Sequence, residues 1–232
     1  GNASGADIVV VMDMESPEEI ARVNAAVPPE RTIFLNCRPG QLYNVGTDNF
    51  AGGCMAIETL YAAGHRHIGI ISRDTECRDS FFYRRYCGAI SSTERHPDLK
   101  LYNYPLPRLA GYCDERDGDQ VAELLLTNHP AITAIFAFTD ILALGVYNYC
   151  NRNSRRIPEE ISVIGFDDKE FSPVLYPALT SIREDSEAIS SAIVRIMAGI
   201  VSGNSAPCQL QCLPTLVARD SVSVIQPKEF SA

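Results

Sequence analysis

Short β-branched runs alternate with amphipathic helical stretches along nearly the whole chain, and that order constrains the fold more than any other feature. Asp7-Ile-Val-Val-Val-Met12 reads as a buried strand. Ser16-Pro-Glu-Glu19 is a capping box with proline at the first helical position, and Ile20, Val23 and Val27 then share one helical face. The next strand is 32–35, followed by a helix over 51–63 that Gly64 stops. Strands at 68–71, 101–104, 133–138 and 161–164 then alternate with helices at 79–92, 117–127 and 140–149. Such an order needs crossovers between parallel strands, which places helices on both faces of the sheet and defines an α/β protein with parallel doubly wound sheets. Near the end the pattern breaks. A short strand at 179–182, a long helix at 186–203 and one extended run at 209–217 are expected there. The Pro/Ser/Gly segments at 172–177 and 202–207 read as crossings between packed units.

Composition narrows the function classes. With 232 residues and 46% apolar side chains, the chain buries a core large enough for one large domain or two small ones. No apolar run reaches the ~20 residues of a membrane span, and no secretory signal pattern is present. The formal charge of −9 opposes nucleic-acid binding by this segment, so any DNA contact is expected from a part outside it. Arg152, Arg155 and Arg156 form the one notable basic cluster, read as a solvated loop with a phosphate site as the alternative. Eight cysteines lie scattered without a Cys-x-x-Cys spacing. They read as small buried residues of a reducing compartment, which points to the cytoplasm, although Cys208 and Cys212 are placed to approach each other.

The segment Ile157-Pro-Glu-Glu-Ile-Ser-Val-Ile-Gly-Phe-Asp-Asp168 carries the most functional information. It runs a turn into a buried strand, expected to end at Gly165, and sets Asp167 and Asp168 just past the strand's C-terminal end, where open parallel sheets bind ligands. It resembles the corresponding stretch in the lactose-repressor and purine-repressor family of bacterial transcription regulators. Other pieces follow in the family's order: Val45-Gly-Thr-Asp48-Asn49, Ala63-Gly-His-Arg-His-Ile-Gly-Ile70, Arg85-Tyr-Cys-Gly88, Ala134-Ile-Phe-Ala-Phe-Thr-Asp140, Pro177-Ala-Leu-Thr-Ser-Ile182 and Val217-Ala-Arg-Asp-Ser221. The resemblance covers about residues 6–223.

It implies a two-lobed periplasmic-binding-protein-like fold with a small effector, a sugar or related polyol, in the interlobe cleft, three chain crossings as hinge, and a homodimer. The N-terminal lobe is then expected at 1–65 plus 180–203 and the C-terminal lobe at 66–177 plus 208–223. Relatives carry two more strand–helix units and a DNA-reading helix-turn-helix ahead of the part that matches. The N-terminal lobe is thus expected to be incomplete and the DNA-binding domain absent from this chain.

By the same resemblance, Arg85 matches the family's cleft arginine, a fork that grips two oxygens at once, and Asp167 its cleft carboxylate. A structural ion pair is the alternative for both. Asp48 matches another effector contact, with a helix cap as the alternative. Thr139 stands where many relatives have asparagine. Phe81 and Asp79 precede Arg85 within two helical turns, Tyr112 lies within one residue of an often aromatic position, and Glu184 falls at a hinge position. For these last four, packing or surface roles stand beside ligand contact. The acidic set Asp79, Asp167 and Glu184 around one arginine points to a neutral polyol or a cation.

Two other readings compete. A periplasmic sugar-binding protein of a transport system shares the fold. An enzyme would need Asp167, Asp168 and Glu170 as a magnesium site or His65 and His67 as zinc ligands, but histidines two apart on a strand point to opposite faces. No Walker loop, Gly-x-Ser-x-Gly or His-Glu-x-x-His is present. The chain is therefore read as a non-enzymatic binding domain without cofactor or metal.

Overall fold

The computed structural model describes residues 8–12, 14, 16–37, 40–72, 80–104 and 114–225. Two sheets organise them. The first has the order β1-β2-β3-β9, from Val9–Met12, Thr32–Leu35, Tyr43–Thr47 and Cys208–Cys212, all parallel. The second has the order β10-β8-β7-β6-β4-β5, from Thr215–Val217, Thr180–Arg183, Ser162–Phe166, Ala134–Ala137, His67–Ile71 and Lys100–Asn103. Only β10 in that sheet runs antiparallel.

Each sheet is covered on both faces, as parallel strands require. Helix α1 (Pro17–Ala26) sets Ile20 against Val11 and Phe34 on one side of the first sheet, and α6 (Ser186–Val201) sets Ile189, Ala192 and Ile196 against Ile33 and Val45 on the other. In the second sheet, α2 (Asn49–Ala62) and α3 (Phe81–Arg95) pack on one face over Ile68, Phe136 and Ile164. Helices α4 (Glu115–Asn128) and α5 (Asp140–Arg152) pack on the other over Ile71, Ile135 and Val163. The fold is thus the two-lobed, doubly wound α/β class expected.

The boundaries between the two units differ from those read in the sequence. Helix α2, placed in the N-terminal lobe by sequence, packs on α3 and the second sheet because both helices carry a glycine at their crossing. A Cβ on Gly53 would fall on the carbonyl oxygen of Arg85, and one on Gly88 on that of Phe50. Strand β8 pairs with β7 and so belongs to the second sheet, whereas β9 pairs with β3 and belongs to the first. The single extended run expected at 209–217 is therefore two strands in two sheets.

The chain passes between units at 48–49, at 184–185 and at 213–214, which gives the three crossings. The segments at 172–177 and 202–207 are not among them. The former leads from β7 to β8 within the second sheet, the latter from α6 to β9 within the first unit. Gly165 also proves to lie inside β7 rather than at its end.

The helix contact at Gly88 is rigid backbone against backbone, so little can yield to an added methyl. Gly88→Ala is expected to destabilise the protein by about 3 kcal/mol in urea unfolding. An unchanged midpoint would show that α2 and α3 separate at low cost.

Candidate functional site

Asp140 builds the site from below. It opens α5, capped by the Thr139 side chain, which accepts from the Leu142 N–H at 3.2 Å. Its fully buried carboxylate accepts hydrogen bonds from Ser172 Oγ at 2.5 Å, Ser181 Oγ at 2.6 Å and the Lys169 N–H at 2.7 Å. Burial pushes its pKa up, and those three donors oppose the rise. The carboxylate presses against β7 so closely that only glycine fits at Gly165. Thr139 is thus a helix cap.

Beyond β7 the backbone turns through two left-handed residues, Asp167 at φ 100° and Asp168 at φ 52°. Their fates diverge. Asp168 is an anchor: its carboxylate meets Arg183 at 2.5 Å and Arg219 at 2.7 Å. Burial disfavours its charge, but the hydrogen bonds from Arg219 and Arg183 outweigh burial and hold its pKa below the ordinary value. That engagement leaves no basis for a magnesium site shared with Asp167 and Glu170. Among the described residues Asp167 has only Lys169, at 3.9 Å, as an ion-pair partner, and burial drives its pKa up to about 7 against the attraction of Arg85 and Lys169.

Arg85 lies one turn into α3 with its guanidinium buried. Its Nε and Nη2 donate to Asn49 Oδ1 at 3.1 and 2.6 Å, and Nη1 donates to the Phe138 carbonyl. The plane rests on the Phe166 ring, 3.2 Å from its centroid. Burial lowers its pKa to about 10, while the negative charges of Asp167, Glu184 and Asp140 resist the fall. Arg85 therefore ties α2 and α3 to the ends of β6 and β7, so its removal strains the fold as well as any ligand contact.

A cleft opens where the two units meet. Asn36, Cys37, Thr47 and Gln211 line it from the first unit, and Asn49, Phe81 and Arg84 from the second. Phe81 begins α3, which Ser80 caps by accepting from the Tyr83 N–H. Glu184 sits at a crossing and accepts from Thr47 Oγ1 at 2.7 Å. Asp48 accepts from the Ala51 N–H at 3.0 Å, the cap role that was its alternative. Asp79 and Tyr112 lie outside the described residues.

Sequence reasoning missed Asn36, Arg84 and Gln211. None falls in a motif, and only pairing of β2, β3 and β9 brings Asn36 and Gln211 beside Thr47. Of the proposed zinc ligands, buried His65 bonds Thr133 Oγ1 and is held down to about 4 by burial, while His67 bonds the Tyr102 hydroxyl. Among the described residues no cluster of His, Cys, Asp or Glu is arranged to hold a metal ion.

The fold and this cleft define a two-lobed α/β protein with a pocket between its units. The family model of the periplasmic binding protein-like domain matches residues 57–222. The HTH-type transcriptional repressor PurR of Haemophilus influenzae (strain PittEE) is 30% identical over 191 residues, covering 78% of this chain and 55% of the repressor. The chain thus spans about half the length of that relative. A LacI family transcriptional regulator from Enterococcus faecium with bound ribose superposes with a TM-score of 0.80 at 21% identity, covering 97% of this chain and 82% of that one. A sugar-binding regulator of the same family from Escherichia coli, complexed with phosphate, gives 0.74 at 24% identity, over 93% and 77% of the two chains. The chain belongs to the periplasmic binding protein-like domain family.

The raised pKa of Asp167 has a stability consequence. The folded chain keeps its proton up to about 7 whereas the unfolded chain releases it near 3.8. In that window the folded state binds the extra proton, and its stability falls as pH rises. Asp167→Asn is expected to stabilise the protein, by on the order of 2 kcal/mol more at about pH 8 than at about pH 5. Urea unfolding at both pH values checks this. An equal effect at both would remove the electrostatic cost assigned to Asp167.

Proposed function

We propose that the chain is the effector-sensing part of a cytoplasmic transcriptional regulator, acting by binding rather than by catalysis. A small molecule, a sugar or related polyol, enters the cleft between the two units and is held by Phe81 and the polar lining, with Arg85 and Glu184 set behind it on Asn49 and Thr47, and Asp167 acting on Arg85. The observation that carries this reading is the cleft itself, lined from both units at the place where the chain crosses between them three times. A ligand that touches both walls favours the closed arrangement by its differential affinity for it, and the crossings absorb the rotation.

DNA recognition is assigned to a helix-turn-helix outside this chain, which responds to the relative position of the two units in a homodimer. With a charge of −9 the isolated chain is not expected to retard duplex DNA. The repressor name carried by the Haemophilus relative and the ribose bound to the Enterococcus regulator both favour this reading over a transport protein.

A thermal-shift panel of aldoses, polyols and nucleobases tests the proposal. At saturation, roughly a hundredfold above Kd, a cleft ligand is expected to add about 2.7 kcal/mol of stability, and Phe81→Ala to remove most of the shift. A panel without any shift, or a shift that the substitution leaves intact, would overturn the cleft assignment.

A further inference from the structure

Most arginines of the described residues have an evident place. Arg66, Arg95, Arg152, Arg155, Arg156, Arg183 and Arg219 pair with carboxylates. Arg22, Arg31, Arg116 and Arg195 are exposed to water. Arg85 is saturated by Asn49 and Phe138. Arg84 is the exception. It lines the cleft half-buried, and among the described residues its guanidinium meets neither a carboxylate nor a hydrogen-bond acceptor. Sheltering a cation from water without a partner is unfavourable, so a complement from outside the chain would be stabilising there.

Of the other side-chain amide oxygens in the lining, Gln211 Oε1 receives no hydrogen bond among the described residues and the remaining two are engaged. Asn36 Oδ1 is engaged by the Thr47 N–H, and Asn49 Oδ1 by Arg85. Thr47 gives its hydroxyl proton to Glu184. By contrast the Nδ2 group of Asn36 has no acceptor among the described residues. The carboxylates once taken to set the charge of the site are directed elsewhere: Asp167 and Glu184 act on Arg85, and neither lines this pocket. Among described residues, Arg84 is the only formally charged group in the lining.

We propose that the effector carries an oxyanion, a carboxylate or a phosphate, which docks on Arg84 and the Asn36 amide. This rests on the cleft reading above and reverses the neutral or cationic ligand expected from sequence. Arg84 becomes the residue that selects an anionic sugar derivative over its neutral parent, through the two parallel hydrogen bonds a guanidinium offers an oxyanion.

The test uses matched sets: D-ribose, D-ribonate and D-ribose 5-phosphate, with the same three forms of glucose and galactose, titrated calorimetrically into wild type, Arg84→Gln and Arg84→Lys. In at least one set an anionic member is expected to bind about tenfold or more tightly than its neutral parent, and Arg84→Gln to bring that ratio within about twofold of one. Arg84→Lys, which keeps the charge and loses the fork, should give an intermediate ratio and serves if the glutamine variant fails to fold. The carboxylate and phosphate arms identify which oxyanion is read. Tight binding confined to neutral sugars would leave the cleft reading standing and overturn this one, as would an anion preference that survives Arg84→Gln. If no member binds wild type, the cleft reading falls and the oxyanion with it.

Discussion

The buried carboxylate of Asp140 is the constraint on which the site depends. It lies at the N-terminus of α5, where the helix's partial positive charge favours it, and it collects two hydroxyls and a backbone N–H from segments far apart in sequence. Because the Lys169 N–H and Ser172 Oγ are both held to it, the chain leaving β7 turns sharply, and Asp167 and Asp168 take left-handed conformations that non-glycine residues seldom adopt. Because Ser181 is also held to it, β8 is locked beside β7. Gly165 follows from the same packing, since the carboxylate occupies the space of any Cβ there. One buried acid thus explains why Thr-Asp at the start of α5 and Gly-Phe-Asp-Asp at the end of β7 occur in one chain.

Adjacent aspartates then illustrate how position rather than residue type decides function. Asp168 turns toward two arginines and is stabilised in its charged form. Asp167 lies near Arg85, where burial outweighs the attraction of Arg85 and Lys169. The pKa of Arg85 falls for the same reason, so the two opposite charges share a sheltered region without satisfying each other directly. Residues arranged this way carry an electrostatic cost that each alone leaves uncompensated.

Much of this was legible in the chain. The α/β class followed from alternation of strands and helices, whereas β3 was not among the strands read and β7 runs on past Gly165. Arg85 and Asp167 were each singled out by the family resemblance as cleft residues, and the structure sets them in one electrostatic neighbourhood. Which sheet owns α2, β8 and β9 was not legible, because periodicity reports that a strand or helix is covered and not what covers it. The Gly53–Gly88 contact that draws α2 to α3 is visible only once both helices are placed. Arg84 was hidden by its neighbour: the sequence offers two consecutive arginines, and helical geometry sends one into the core against Phe166 and the other to the cleft wall.

The hinge and the site use the same stretches of chain. At the first crossing Asp48 caps α2 and Asn49 holds Arg85; at the second Glu184 bonds Thr47 across the units; before the third Gln211 lines the cleft, and after it Pro214 packs by Gly52. A ligand that changes the hydrogen bonding of Thr47, Asn49 or Glu184 therefore acts on the segments that set the angle between the units, without any longer relay. The Thr47–Glu184 bond matters most in this respect, because its donor ends β3 in the first sheet and its acceptor follows β8 in the second. Any opening of the cleft has to lengthen or rotate that contact, so occupancy of the pocket and the relative placement of the two sheets are coupled through a single buried hydroxyl and one carboxylate.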